Sequence, residues 1–352
     1  MRFEYINRLQ GDEILGKNIL TSDGKLLLRA GVKLNSVYIK KLHLLGVFYV
    51  YVEDKRLDDV LVEDDRLSEL KQTAMRSMSK IIKNIYNYNT KNVKDSLNVV
   101  EDLVNYIIDS GDVNISLCDI KTYDNYTYVH CLDTCIMSSF LGLSSGFNEK
   151  ELKELGIGAI LHDVGKTKIS IQIINKCSGL TSEEFDEIKK HPTYGEEILK
   201  KNVNMPNSIL RAVAEHHERF DGNGYPKRLI GKQISKFAKV ISICDVYDAV
   251  SNNRSYREKY SPSDAYELIM AGSDSLFDCN LVKSFKETFA VYPLGCCLRL
   301  SNGVEGYVIK QNANFPDRPV IRVLYDSHTR KAITFYEINL LENTCLTVQA
   351  IN

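Results

Sequence analysis

The sequence predicts a mainly α protein: a long helical region flanked by a small α/β module at the N-terminus and a small β module at the C-terminus. Three observations predict this. From about residue 114 to 292, apolar residues recur at helical spacing and capping residues mark the helix starts. Ahead of that region, short runs of β-branched and aromatic residues accompany one helical pattern. After Pro293 the pattern switches to strict alternation around a turn signal.

In chain order, "NILTSDGKLLL" places Asp23-Gly24 between two apolar runs and reads as a hairpin. "NSVYIKKLHLLG" opens on capping residues, keeps helical spacing and stops at Gly46. "VFYVYV", Val47 to Val52, is a strand. These elements make an α/β domain over residues 1–60. A charge-dense stretch, "EDKRLDDVLVEDDRLSEL", reads as a solvated connector leading into two helices, giving a helical connector over 61–113. Those helices either pack on the next domain or supply a homodimer surface. Within 114–292, Asn148 with Glu151 and Thr181 with Glu184 form capping-box patterns, and Ser261-Pro262 opens another helix. Over 293–352, "CCLRLSNGVEGYVIKQN" and "RPVIRVLYD" alternate, with Asn302-Gly303 as a turn.

Bulk composition narrows the function classes. The 352 residues carry a net charge of -1, with 44% hydrophobic and 26% charged residues, as in an ordinary soluble domain. A near-neutral chain lacks the basic excess expected for duplex nucleic acid, although a small anion needs only a few local cations. "MRFEYINRLQGDE" lacks the apolar core of a signal peptide, and no apolar run is long enough to span a bilayer. Nine cysteines without a CxxC pattern fit reduced thiols in the cytoplasm, and Cys131 and Cys135 read as buried apolar side chains.

Five of the seven histidines, His130, His162, His191, His216 and His217, fall in the helical region. Asp163 follows His162, and "ISICDVYDAV" sets Asp245 and Asp248 in an apolar helix. A carboxylate there must pair, neutralise or bind a cation, because burying it bare is costly. Imidazole with carboxylate suits first-row divalent metals. The five histidines with Asp163 and Asp245 exceed one tetrahedral site and fit two ions sharing a carboxylate.

"HDVGK" (His162–Lys166) and "HHERFDGNGYP" (His216–Pro226) resemble the signature of the HD-GYP domain, a branch of the HD metal-dependent phosphohydrolases. The resemblance continues through "YTYVH" ending at His130, "HPTYG" from His191 and "CDVYDAVSNNRSYR" from Cys244, about half of the chain. It implies an all-helical HD-superfamily bundle over 114–292. It also implies a bacterial second-messenger phosphodiesterase that converts cyclic di-GMP to pGpG and possibly GMP. Some members act instead on cyclic GMP-AMP. By resemblance, one metal takes His130, His162 and Asp245, the other takes His191, His216 and His217, and Asp163 bridges them. Tyr126 stands where some members carry a glutamate for a third metal, so two ions are expected, iron or manganese by analogy. Lys166 would contact the scissile phosphate, Tyr225 the substrate, and Arg254 and Arg257 the dinucleotide. "NNRSYR" departs from the common Asp-Arg-Pro-Tyr-Arg by losing a proline while keeping both arginines. A cyclic-dinucleotide receptor with little turnover is the rival class; the filled ligand set favours an enzyme.

Overall fold

The structure, a computed structural model, describes the chain apart from residues 22–23, 46, 48, 61, 63, 87–89, 112–114, 117–126, 177, 252–261, 326–330 and 352. The chain opens with β1 (Arg2–Tyr5). β2 (Ile19–Leu20) and β3 (Leu26–Leu28) pair antiparallel. The expected turn between them passes Gly24 at φ +72°, while Asp23 lies outside the described residues. α1 (Ser36–Leu44) starts at Asn35, whose side chain accepts the Tyr38 N–H. Its predicted stop, Gly46, is also outside the described residues. β4 (Tyr49–Val52) pairs antiparallel with β1.

α2 (Asp65–Tyr86) and α3 (Thr90–Ser110) are the two connector helices. Their apolar stripes, including Met78, Ile81, Ile85, Leu103 and Ile107, join the same core as the helices that follow. The connector thus spends its apolar face within the chain. Lys71 on α2 also reaches the buried Asp133 carboxylate of the next long helix, 3.3 Å away.

After β5 (Ile115–Ser116) come α4 (Thr127–Ser144) and α5 (Glu149–Leu161). A 3-10 turn at Val164–Lys168 leads into the short α6 (Ile171–Ile174) and α7 (Ser182–Ile188). α8 (His191–Asn202), α9 (Asn207–Glu215), α10 (Lys236–Ser251), α11 (Pro262–Ala271) and α12 (Cys279–Thr288) complete the bundle. Both expected capping boxes form, at Asn148/Glu151 and Thr181/Glu184. Pro262 is the first residue of α11, and Ser261 lies outside the described residues. Among the described residues no helix is long and apolar enough to cross a membrane.

β6 (Phe289–Ala290) pairs parallel with β5. β7 (Cys297–Leu300), β8 (Glu305–Asn312), β9 (Phe315–Tyr325), β10 (Ala332–Asn339) and β11 (Val348–Ile351) then form one antiparallel sheet in the order β10-β9-β8-β7-β11. Gly303, at φ +82°, turns β7 into β8. The two ends of the chain share a core: Phe3, Tyr49 and Tyr51 pack with Leu298, Leu300, Val308 and Ile321. A two-stranded ribbon such as β1/β4 cannot bury its own apolar face and needs a sheet or helix to cover it. Arg322 on β9 ties the seam through Asp59 at 2.7 Å, and Glu337 on the neighbouring β10 holds the same guanidinium at 2.9 Å.

Leu103 on α3 is fully buried in the bundle core. Leu103→Ala is expected to lower stability by about 2–5 kcal/mol, as for core leucines. Unfolding followed by both far-UV circular dichroism and tyrosine fluorescence should show one coincident, shifted transition. A separate early transition would make the connector independent of the bundle.

Candidate active site

Helix ends converge to build the site. His162 caps the C-terminus of α5, His191 follows α7 by three residues, and His216 caps the C-terminus of α9. The last carbonyls of a helix lack intrahelical partners. Each ring uses the one three residues back. His162 Nδ1 lies 2.7 Å from the Ala159 oxygen, His191 Nδ1 2.7 Å from Ile188, and His216 Nδ1 2.8 Å from Val213. A carbonyl only accepts, so each Nδ1 must carry the hydrogen. The Nε2 lone pairs then face inward. His191 Nε2 and His216 Nε2 stand 3.2 Å apart, acceptor against acceptor, and His162 Nε2 is buried with no hydrogen-bond partner.

The carboxylates stand between these rings. Asp163 turns Oδ1 toward His191 Nε2 at 3.3 Å and Oδ2 toward His162 Nε2 at 3.5 Å. Its Oδ2 also takes the Lys166 ammonium at 2.5 Å. Asp245 on α10 meets His130 Nε2 at 2.9 Å and lies 3.7 Å from His162 and 3.8 Å from His217. Potential ligand atoms fall into the groups His191/His216/His217 and His130/His162/Asp245, within 4.8 Å of one another in each. A third group, Cys131/His162/Asp163, includes a thiol whose pKa burial pushes well above its ordinary value, so it stays protonated.

Protonation states follow from burial and neighbours. Burial lowers His191 to about 4 and His217 to about 3, and also holds His162 and His216 below the ordinary range. These four rings are therefore neutral at neutral pH, the form that binds metals. Burial works against the charge on Asp163 and Asp245, yet Lys166 at the first and His130 at the second lead the groups that keep both carboxyls well below the usual range. Burial also opposes charge on His130, but Asp245 and Asp248 hold its pKa up at about 10. Neutral inward imidazoles around ionised carboxylates, with orphaned acceptors between them, fit divalent cations.

Two glycines explain the spacing of the motifs. A Cβ on Gly165 would overlap the His191 carbonyl oxygen and crowd the Gly195 amide, so the turn after Asp163 can touch the first turn of α8 only without a side chain. A Cβ on Gly224 would overlap the Arg219 amide, and Gly222 sits at φ +82°. The buried Glu218 carboxylate accepts the Lys227 and Leu229 amides and pins the far side of this loop. The Tyr225 N–H donates to the His217 carbonyl, and its ring lies 4.8 Å from the His217 ring at 30°.

Of the residues singled out in sequence, His130, His162, Asp163, Lys166, His191, His216, His217 and Asp245 converge, with Tyr225 at the edge. Tyr126, Arg254 and Arg257 lie outside the described residues. Asp248, noted in sequence only as a carboxylate in an apolar helix, is fully buried, and its Oδ2 lies 2.6 Å from His130 Nδ1. Its three-residue offset from Asp245 was the available signal.

A helical bundle that gathers histidines and aspartates at converging helix ends has the layout that the motif resemblance implies for an HD-type domain. Residues 133–281 match the HD domain family, and residues 297–352 match the KOW domain associated with HD domain. The cyclic di-GMP phosphodiesterase PA4108 of Pseudomonas aeruginosa is 29% identical over 69% of this chain and 58% of its own. The cyclic di-GMP phosphodiesterase response regulator RpfG of Xanthomonas campestris is 35% identical over 40% of this chain and 39% of its own. The 3'3'-cGAMP-specific phosphodiesterase 2 of Vibrio cholerae is 29% identical over 69% and 45%. The chain thus spans between 39% and 58% of the length of these relatives. The solved structure of Bd1817, an HDG"Y"P protein from Bdellovibrio bacteriovorus, matches with a TM-score of 0.53 and 17% identity over 80% of this chain and 97% of that one, a likeness of fold. Over residues 133–281 the chain is similar to the HD domain family, and that stretch holds the motifs by which the sequence resembles the HD-GYP branch.

The protonation pattern sets the pH dependence of the metal-free protein. His191 and His217 hold protons more weakly folded than unfolded, so stability falls as pH drops from 6.5 toward about 4. His130 holds its proton more tightly when folded; that contribution is complete below 6.5 and is lost as pH rises toward about 10. After chelation the thermal midpoint should peak near neutrality and be lower at about pH 5 and about pH 9. A midpoint that climbs steadily across this range would contradict the assigned protonation states.

Proposed function

We propose that this protein is a metal-dependent phosphodiesterase of cyclic dinucleotides, with cyclic di-GMP as substrate and pGpG as first product. The observation that carries the reading is the buried set of inward acceptors, with the two oxygens of Asp163 turned toward different histidine groups. In this reading His130, His162 and Asp245 would hold one divalent cation, His191, His216 and His217 would hold a second, and Asp163 would serve both. Iron and manganese suit this mixed nitrogen and oxygen donor set. Bound cations of this kind lower the pKa of water and polarise a phosphoryl oxygen.

The chain's own residues supply the rest. Lys166 is partly exposed at the rim with its ammonium on Asp163, placed to meet an incoming phosphate and stabilise charge that develops on it. The paired rings of His217 and Tyr225 offer a flat wall beside the site. Arg254 and Arg257, assigned from their motif, supply planar forks for phosphate or guanine. The V. cholerae relative named for 3'3'-cGAMP supports that dinucleotide as a second substrate to test.

Protein reconstituted anaerobically with ferrous iron or with manganese should hydrolyse cyclic di-GMP, and chromatography of the products beside cyclic GMP-AMP ranks the substrates. Asp163→Ala should lose both bound metals and activity together. About two metals bound with no turnover on either dinucleotide would favour a receptor.

Lys166→Ala and Arg254→Ala separate chemistry from binding. A charged hydrogen bond contributes about 1.5–3 kcal/mol, or roughly ten- to hundredfold. At matched metal occupancy, loss of the Lys166 ammonium should fall on kcat and loss of the Arg254 guanidinium on KM. An unchanged KM in the arginine variant would remove it from the substrate site.

A further inference from the structure

His130 differs from the other inward-facing rings in how it is held. His162, His191 and His216 each donate Nδ1–H to a carbonyl three residues back, at or just past a helix end. His130 sits in the first turn of α4, with the helix continuing to Ser144. The carbonyls around it are engaged by the intrahelical ladder. Its Nδ1 finds Asp248 Oδ2 instead, at 2.6 Å, from a side chain that is fully buried. Asp248 lies one turn beyond Asp245 on α10, so the same helix face grips both nitrogens of the ring.

We propose that Asp248 is a positioning residue for the metal site: its carboxylate fixes His130 as the Nδ1–H tautomer, aims Nε2 at the cation position and strengthens that nitrogen as a donor. This rests on the metal-dependent reading above. A carboxylate behind a ligating imidazole raises its basicity, and loss of such a partner costs roughly 10- to 100-fold in metal affinity. A carbonyl partner brings no net charge. The group containing His130 is therefore the one whose affinity depends on the Asp248 carboxylate, and the His191/His216/His217 group is independent of it.

Asp248→Asn tests this, because the amide keeps the shape and removes the charge. Free Mn²⁺ would be followed by electron paramagnetic resonance during titration of the chelated 352-residue chain. Two binding steps are expected in the parent protein. In the variant one step should weaken roughly 10- to 100-fold and the other stay within about threefold. The double variant Asp248→Asn/His130→Ala should be no weaker in that step than His130→Ala alone, since coupled residues are non-additive. If Asp248→Asn does not fold when metal-free, ¹⁵N shifts of the histidine rings in the Zn²⁺-loaded parent protein decide: His130 should show Nδ1–H with a metallated Nε2. Both steps unchanged, both weakened alike, or a protonated Nε2 would overturn the role of Asp248 and leave the metal reading standing. No Mn²⁺ binding by the parent protein would overturn both.

Discussion

Lone pairs do not face each other in a protein interior without a reason. His162, His191 and His216 spend their Nδ1 hydrogens on backbone carbonyls, which leaves each Nε2 as an inward acceptor. Into that space the fold adds Asp163, 3% exposed, with Oδ1 lacking a hydrogen-bond partner. Buried groups of this kind cost several kcal/mol or more when left unmatched. The arrangement makes physical sense as a receptacle for positive charge, and the Lys166 ammonium on Asp163 shows how readily the site accepts one.

The rest of the bundle keeps these helix ends close. α5 meets α9 where Gly158 faces Ala212, and α8 meets α9 where Gly195 faces Val213. The bare Gly165 lets the turn after Asp163 rest on the first turn of α8. A large apolar core, extended by the two connector helices, offsets the cost of gathering acceptors. The connector meets α4 through Lys71 and Asp133, one turn from His130. A cation bound in the site would return stability to the whole unit, since binding to the folded state is folding free energy.

The chain ends form a second body of structure beside the bundle. The β1/β4 ribbon and the five-stranded sheet bury a common core, and Arg322 joins β9 to Asp59 near the start of the connector. Residues far apart in sequence thus share one packing unit, joined to the helices through the connector and through β5 and β6.

The sequence by itself determined the local facts. Capping residues, helical spacing and alternation placed the elements, because these depend on neighbours a few positions away. The clustering of histidines and the chemistry of imidazole with carboxylate named the metal-binding character before any contact was visible. Tertiary structure alone decided how those groups meet. His130 meets Asp245 and Asp248 across more than a hundred residues, and the two oxygens of Asp163 point to different partners only because α5, α7 and α9 end at one place. Tertiary structure likewise decided that the two ends of the chain share a core, since a short ribbon's apolar face records the need for cover and not what covers it. Periodicity records which face is buried; the partner and the aim of a side chain are properties of packing.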